Sequence, residues 1–177
     1  MSEVAARRYS VALFEAGREQ GKIDTYFEQI KDVAAVLSDH KDLMELLTHP
    51  NIEKKDKKRV VGDIFKDKID EEIIKLISLL IDHERIKEIK LVYEDYKSLV
   101  YEFRGIEVAY VTTAVKMLDS EVNAIKEKLS KKYNCTIEVE NIIDEKIIGG
   151  VYLRIGDEVI DGTVKGTLEK IRKEIMK

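Results

Sequence analysis

The residue types most often used for catalysis or metal binding are few in this chain and widely separated. Its three histidines, His40, His49 and His83, lack the spacing of a metal site, and we interpret them as surface or interhelical polar residues. The single cysteine, Cys135, follows the predicted end of a helix without an obvious histidine partner, which favours a buried or half-buried thiol over a nucleophile. Acidic residues are abundant, but no two of them stand out as an acid and base pair. The sequence therefore predicts no catalytic residue and no metal ligand.

The glycines do not form a nucleotide-binding motif. Their spacing matches neither the dinucleotide fingerprint nor the phosphate loop. Gly149 and Gly150 lie within a strand pattern, where adjacent glycines indicate a bulge or a backbone that another element approaches closely. The run Asp161-Gly162-Thr163 is most simply the cap of a helix. We therefore predict no cofactor.

One basic cluster is a candidate nucleic-acid surface. Residues 54–59 read Lys-Lys-Asp-Lys-Lys-Arg, a composition that suits the phosphate backbone of RNA. Asp56 interrupts the run, Glu53 and Asp63 flank it, and no aromatic side chains are interleaved for base stacking. We therefore prefer a solvated helix face and expect no nucleic-acid partner.

Composition and charge indicate the broad class of protein. The 177 residues include 31 basic and 35 acidic side chains, and the net charge of −4 does not indicate a polyanion-binding protein. Charged residues at 37% and hydrophobic residues at 44% are typical of a helix-rich protein. No apolar stretch has the length of a membrane span, and the first residues lack the apolar core of a signal peptide. A single cysteine excludes an internal disulfide and agrees with a reducing compartment.

Hydrophobic periodicity predicts six helices before Gly105. Apolar residues recur there at steps of three and four, and signals that end a helix occur at Gly21, before Pro50 and at Gly105. The predicted helices cover about 3–18, 23–37, 41–48, 53–65, 70–82 and 84–104. Asp70 is the expected N-cap of the fifth helix. The short connections predict a compact helical bundle over residues 1–105.

After Gly105 the pattern changes to strands that alternate with helices. Strands are predicted at about 106–114, 136–143, 147–155 and 158–160, with helices at about 119–133 and 163–176. Asp119 or Ser120 is the expected cap of the first of these helices, Asn134 its left-handed end, and Gly156-Asp157 a hairpin loop. The predicted fold class is α+β, with an N-terminal six-helix bundle followed by a small β-α-β-β-β-α domain over residues 106–177.

The first and fifth predicted helices are unusually apolar. A surface helix shows one apolar stripe, whereas here apolar residues cover most of the circumference. One interpretation is that both are central helices, and the residues alone slightly favour it. The other is that each helix gives one face to the bundle and the other to an amphipathic helix of a partner. Small residues at Ala5, Ala12 and Ala16 would allow such a helix to approach closely.

Several motifs occur in the order and spacing of a known family. Residues 6–14, Ala-Arg-Arg-Tyr-Ser-Val-Ala-Leu-Phe, are similar to the signature Ala-Arg-x-Tyr-Ala-x-Ala-Leu-Phe, with Ser10 in place of an alanine. Pro50 and Arg85 stand where the family has similar residues, and the blocks at 147–150 and 155–163 match its most recognisable region. On these residues the chain resembles, nearly end to end, the delta subunit of bacterial F-type ATP synthase. That family includes the mitochondrial oligomycin-sensitivity-conferring protein.

This resemblance implies a stator rather than an enzyme. In ATP synthase an ion-driven rotor turns a shaft inside the catalytic head, and the head must not turn with it. The resemblance implies that the helical domain binds the N-terminal helix of the alpha subunit, and that the second domain binds the b-type stalk subunits. It also implies one copy per complex, at the cytoplasmic face of the bacterial cell membrane as a peripheral component.

The alpha-binding surface of the family aligns with the first and fifth helices of this chain. The anchor residues expected from this alignment are Tyr9, Ala12, Leu13, Ala16, Ile77, Leu80 and Ile81. The sequence leaves open which of these face outward. Two other functions also remain open: an RNA-binding accessory protein using the basic helix 53–65, and a helical adaptor with other clients.

Overall fold

The chain folds into two compact units that divide between Val100 and Tyr101. The computed structural model of the protein describes residues 2–66 and 68–175. The division falls inside the last helix of the bundle, whereas the sequence places the boundary at Gly105. That helix ends at Arg104, and Gly105 follows it with a φ of +63°, a conformation that favours glycine.

The described part of the bundle contains six α-helices, as the periodicity predicts. They are α1 (Ser2–Gln20), α2 (Ile23–Asp39), α3 (Lys41–Thr48), α4 (Lys54–Phe65), α5 (Glu71–Asp82) and α6 (Ile89–Arg104). The sixth helix starts later than the predicted residue 84. A 3-10 turn at Ile86–Glu88 precedes it, and Glu84 has a φ of +58°, which interrupts the helical geometry. Among the described residues, no helix has both the length and the apolar character needed to span a membrane.

All six helices contribute buried residues to the core of the bundle, and the inner stripes of α2, α5 and α6 supply most of its fully buried side chains. Tyr26 and Tyr96 are fully buried, and each keeps a hydrogen bond for its hydroxyl group. Tyr26 donates to Gln20 Oε1 at 2.9 Å, and Tyr96 donates to the carbonyl oxygen of Ile23 at 3.1 Å. Burial raises the pKa of Tyr26 to about 12. Because both hydroxyl groups are paired, these large side chains add apolar contact to the core without leaving a polar group unsatisfied.

The second unit is a four-stranded sheet with two helices, in the predicted β-α-β-β-β-α order. Its elements are β1 (Ile106–Thr113), α7 (Asp119–Tyr133), β2 (Thr136–Ile143), β3 (Gly150–Ile155), β4 (Glu158–Thr163) and α8 (Val164–Ile175). The strand order is β2-β1-β3-β4. β1 and β2 are parallel and are joined through α7, while β3 pairs antiparallel with both β1 and β4. The α+β fold class is therefore confirmed.

One face of this sheet packs against α7. Ala109 and Val111 of β1 are fully buried there, and they pair in register with Ile155 and Leu153 of β3. Leu129 of α7 completes the contact. Alternate residues of β1 are less buried, as expected for a strand with one covered face.

Several predicted boundaries in the second unit were wrong. β3 begins at Gly150, so residues 147 and 148 precede it, and β4 continues to Thr163. The N-cap position of α7 is Leu118 rather than Asp119 or Ser120, and the backbone N–H of Leu118 donates to Glu121 Oε2 at 2.9 Å. The left-handed end of α7 at Asn134 is confirmed by its φ of +52°.

The Gly149-Gly150 pair marks a close approach of two backbones. Gly150 has a φ of +84°, and a Cβ atom there would lie 2.3 Å from the carbonyl oxygen of Gly162. The predicted cap of α8 is also present, because Thr163 Oγ1 accepts a hydrogen bond from the N–H of Gly166 at 3.0 Å. Thr163 in turn donates from Oγ1 to Asp161 Oδ1 at 2.7 Å. These contacts fix the direction in which α8 leaves the sheet.

Candidate functional site

A groove of about 150 Å³ lies between α1 and α5. On the α1 side it is lined by Tyr9, Ala12, Leu13 and Ala16. On the α5 side it is lined by Glu72, Lys75, Leu76 and Leu79. The two alanines keep the α1 wall low, so that an apolar side chain of a partner can reach the floor. This groove brings together the four α1 residues that were expected to anchor a partner.

The three expected α5 residues do not line this groove. Ile77 and Leu80 are 0% exposed and Ile81 is 2% exposed, and all three belong to the core of the bundle. Ile81 also borders a different cavity, at the start of α4. Residues 73, 77, 80 and 81 lie on one side of α5 at helical spacing, and this side packs against the bundle. We therefore correct the expected α5 surface to the opposite stripe.

The sequence interpretation missed all four α5 residues of the groove, and Leu79 is the exposed apolar one among them. It is 47% exposed, which is unusual for a leucine on a helix with so many buried neighbours. A signal for it exists, since Leu79 lies one turn beyond Lys75, and Lys75 lies one turn beyond Glu71 and Glu72. Polar residues at these positions mark the outward stripe of α5.

Charged side chains form the rim of the groove on α5. Lys75 lies 3.3 Å from Glu71 and 3.8 Å from Glu72, which makes a small ion-pair cluster. The pKa of Glu72 is lowered, first by its own backbone N–H and then by the side chain of Gln20. The groove is therefore apolar along its floor, with an ionised carboxylate on its rim.

The outward face of α1 continues beyond the groove. Val4, Arg7, Arg8, Val11 and Ala12 line an adjoining shallow patch. Val4 and Val11 are exposed apolar residues, and Ala12 borders both the groove and the patch. A helix longer than the groove could therefore extend along α1 and meet the two arginines.

Most of the basic cluster on α4 is engaged in contacts within the protein. Lys58 pairs with Asp82 at 2.6 Å, Arg59 pairs with Asp56 at 3.0 Å, and Lys54 pairs with Glu84 at 3.4 Å. Paired cations are poor ligands for a nucleic-acid backbone, because the protein carboxylates already balance them. The expected solvated face is correct for the exposed Lys55 but wrong for Lys57, which is buried.

An apolar stripe without cover lies on α8. Val164, Leu168, Ile171 and Ile175 recur at steps of three and four, and they are 44%, 61%, 47% and 79% exposed. The other positions of α8 include Lys165, Glu169 and Arg172, so the helix is amphipathic with its apolar side toward solvent. Such a face is typical of a surface that a second helix covers.

Within residues 2–66 and 68–175, no cluster of histidine, cysteine or acidic side chains has the geometry of a metal site. The three histidines are exposed, as expected for surface residues. Cys135 is a free, half-buried thiol that packs beside the core of the second unit. The two apolar surfaces, on α1 with α5 and on α8, are therefore the candidate sites.

Comparison with known proteins relates the whole chain to one family. The family model described as ATP synthase delta (OSCP) subunit matches residues 5–175. ATP synthase subunit delta of Clostridium botulinum (strain Loch Maree / Type A3) is 37% identical over 177 residues, which cover 100% of this chain and 99% of that protein. The corresponding subunit of Clostridium acetobutylicum is 36% identical over the same length.

Solved structures share the fold at low sequence identity. One chain of the Toxoplasma gondii mitochondrial ATP synthase hexamer superposes with a TM-score of 0.73 at 17% identity, covering 97% of both chains. One chain of the Polytomella F-ATP synthase has a TM-score of 0.50 at 18% identity, covering 54% of this chain and 84% of that one.

Proposed function

The chain belongs to the ATP synthase delta (OSCP) subunit family, and on that premise we propose that it links the alpha subunits of the catalytic head to the b-type peripheral stalk. It is a non-catalytic subunit of F-type ATP synthase and a component of the peripheral stalk. It is accordingly a peripheral part of a membrane-bound complex. We place it at the cytoplasmic face of a bacterial membrane, with one copy per complex. The link couples ion-driven rotation to ATP synthesis by holding the head still.

The head joint is the groove between α1 and α5, and this groove carries the proposal. An amphipathic helix, such as the N-terminal helix of an alpha subunit, would lay its apolar side on Tyr9, Ala12 and Leu79. Its polar side would stay in water, bordered by the charged rim at Glu72 and Lys75. This arrangement favours a helix over an extended peptide, because the groove lies between two helices and offers no strand edge.

The stalk joint is the apolar stripe of α8. Its proposed occupant is the C-terminal helical part of the b-type subunits, the partner that the family resemblance implies for the second domain. Leu168 and Ile171 lie in the middle of the stripe and are the expected anchors. Covering them with a second helix removes apolar surface from water at about 25 cal/mol per Å².

The elastic energy that the stator must hold during rotation explains why both proposed joints are apolar. One charge that crosses 100 mV releases about 2.3 kcal/mol, so several ions per catalytic step store on the order of 10 kcal/mol in elastic strain. A joint of nanomolar affinity corresponds to about 12 kcal/mol. Apolar helix contacts reach this range without depending on salt, unlike exposed ion pairs.

Calorimetric titration with a synthetic peptide of the alpha subunit N-terminal segment tests the head joint. We expect tight binding with a negative heat-capacity change, because apolar surface is buried. Leu79→Asp should weaken binding by about 100-fold or more, since it places a charge in the apolar groove. Leu91→Asp is the matched control, because Leu91 is a leucine of α6 with 38% exposure that lies outside the groove.

Two results would count against this joint. Absence of binding at high micromolar peptide would remove the head-binding claim and favour an adaptor with another client. Equal losses in Leu79→Asp and Leu91→Asp would show that the peptide does not occupy the groove.

A further inference from the structure

A second cavity in the bundle lies outside both proposed joints. It has a volume of about 260 Å³ and is bordered by the loop before α4, the first turn of α4 and the turn after α5. Its polar lining includes Lys54, Lys57, Lys87 and Glu84. Three positive charges against one negative charge leave this lining with an excess of two positive charges.

Lys57 is the residue that makes this cavity unusual. It is only 6% exposed, and its side chain lines the cavity. Over the described ranges 2–66 and 68–175, its ammonium group has no hydrogen-bond or ion-pair partner. Its neighbours differ, since Lys54 donates to the carbonyl oxygen of Asp82 at 2.8 Å and Lys58 donates to Asp82 Oδ2 at 2.6 Å. Among the described residues, Glu88 Oε2 is the side-chain atom that is both shut off from water and without a partner, so the ammonium group of Lys57 keeps contact with water. An anion in the cavity would supply the interaction that this ammonium group lacks with the protein.

The start of α4 adds a second source of positive potential. The first N–H groups of a helix lack partners within the helix, and its dipole favours an anion at that end. Glu53 occupies the N-cap position, but its side chain makes no hydrogen bond to the first turn. The twelve-residue helix therefore begins beside the cavity without a side-chain cap.

We propose that this cavity binds a phosphate group, with Lys57 as its principal ligand and Lys87 as a second one. A doubly charged phosphate matches the excess charge of the lining, and an ammonium group contacts phosphate as a point charge. Glu84 opposes the anion and also holds Lys54 at 3.4 Å. The volume exceeds that of one phosphate, so either the free ion or a phosphate ester can enter.

The test is an amide NMR titration of the full chain at constant ionic strength. The probes are inorganic phosphate and AMP, with sodium chloride as the reference salt. We expect saturable shifts of the amides at residues 54–57, and weakening of about tenfold or more in Lys57→Met. Methionine matches the length of lysine, and removing an ammonium group that has no partner among the described residues should not unfold the bundle. Lys55→Met is the control, because Lys55 is exposed on the same helix and does not line the cavity.

Two further variants keep the proposal decidable if Lys57→Met does not fold. Lys87→Met changes an exposed side chain and should weaken phosphate binding several-fold, whereas Glu84→Gln should strengthen it. Saturation by inorganic phosphate identifies the free ion as the ligand, and saturation by AMP alone identifies an ester. The proposal is overturned if neither probe gives saturable shifts beyond those of chloride, or if Lys57→Met and Lys87→Met bind as the unchanged chain does. The head-peptide titration is independent of this result.

Discussion

At the scale of single residues, Asp70 ties the start of α5 to α2. It occupies the N-cap position of α5, as predicted, but its side chain makes no cap hydrogen bond. Its carboxylate instead accepts hydrogen bonds from Lys22, at the start of α2, and from Gln29 Nε2 at 2.9 Å. The backbone N–H of Asp70 returns a bond to Gln29 Oε1 at 3.0 Å. The start of α5 is therefore fixed against α2, which positions one wall of the groove.

These contacts give stability a defined pH dependence. The hydrogen bonds from Lys22 and then from Gln29 hold the pKa of Asp70 below its usual value of 3.8. The stabilisation is therefore present above about pH 4 and is lost as the pH falls through the lowered pKa. Asp70→Asn should cost about 1 kcal/mol near neutral pH, and its cost should shrink as the pH falls below about 4 and through the lowered pKa of Asp70. Urea unfolding at several pH values measures this, with Asp63→Asn, on the exposed side of α4, as the control.

A cost of Asp70→Asn that stayed constant from neutral pH to pH 3 would contradict this account. Such a result would mean that the loss comes from packing and not from the ionised carboxylate.

At the scale of elements, the sequence predicts where α5 lies but not which side faces outward. Its start and end follow from local signals, so they were predicted within one residue. Its orientation was not predictable from apolar residues alone, because residues 73–81 are apolar at nearly every position. Packing against the other helices sets the orientation of α5: Ile77 and Leu80 are buried, and Leu79 is left exposed. The burial of Lys57 was likewise not predictable from the sequence, because no local pattern distinguishes a buried lysine from its exposed neighbours in a basic run.

The two adjacent leucines of α5 should therefore differ sharply in their effect on stability. Leu80→Ala removes a fully buried side chain and should lower the free energy of unfolding by about 2–5 kcal/mol. Leu79→Ala should change it by no more than about 0.5–1 kcal/mol, since that side chain is half exposed. Urea unfolding of both variants gives the comparison. Similar costs at the two positions would mean that the assigned inner and outer stripes are wrong.

At the scale of the whole molecule, each proposed joint is built within one compact unit. The head groove uses α1 and α5 of the first unit, and the apolar stripe of α8 belongs to the second. The family resemblance predicted that the two units bind different partners, and this stays a prediction. Sequence alone did not assign the stalk surface to particular residues, because the exposure of α8 depends on how it leaves β4.

Because each proposed joint lies within one unit, we expect the alpha peptide and the b-type peptide to bind independently of each other. Leu168→Asp should weaken binding of a peptide from the C-terminal part of a b-type subunit by about 100-fold, because it places a charge in the apolar stripe. It should leave the affinity for the alpha peptide unchanged, and Lys165→Asp on the polar side of α8 should alter neither. In the double variant Leu79→Asp with Leu168→Asp, each affinity should fall as in the single variant, within about 0.5 kcal/mol. Calorimetric titration of the unchanged chain, the two single leucine variants, the double variant and Lys165→Asp with both peptides measures this. A coupling energy above about 1 kcal/mol would contradict this prediction, because it would mean that binding at the head joint changes the affinity of the stalk joint.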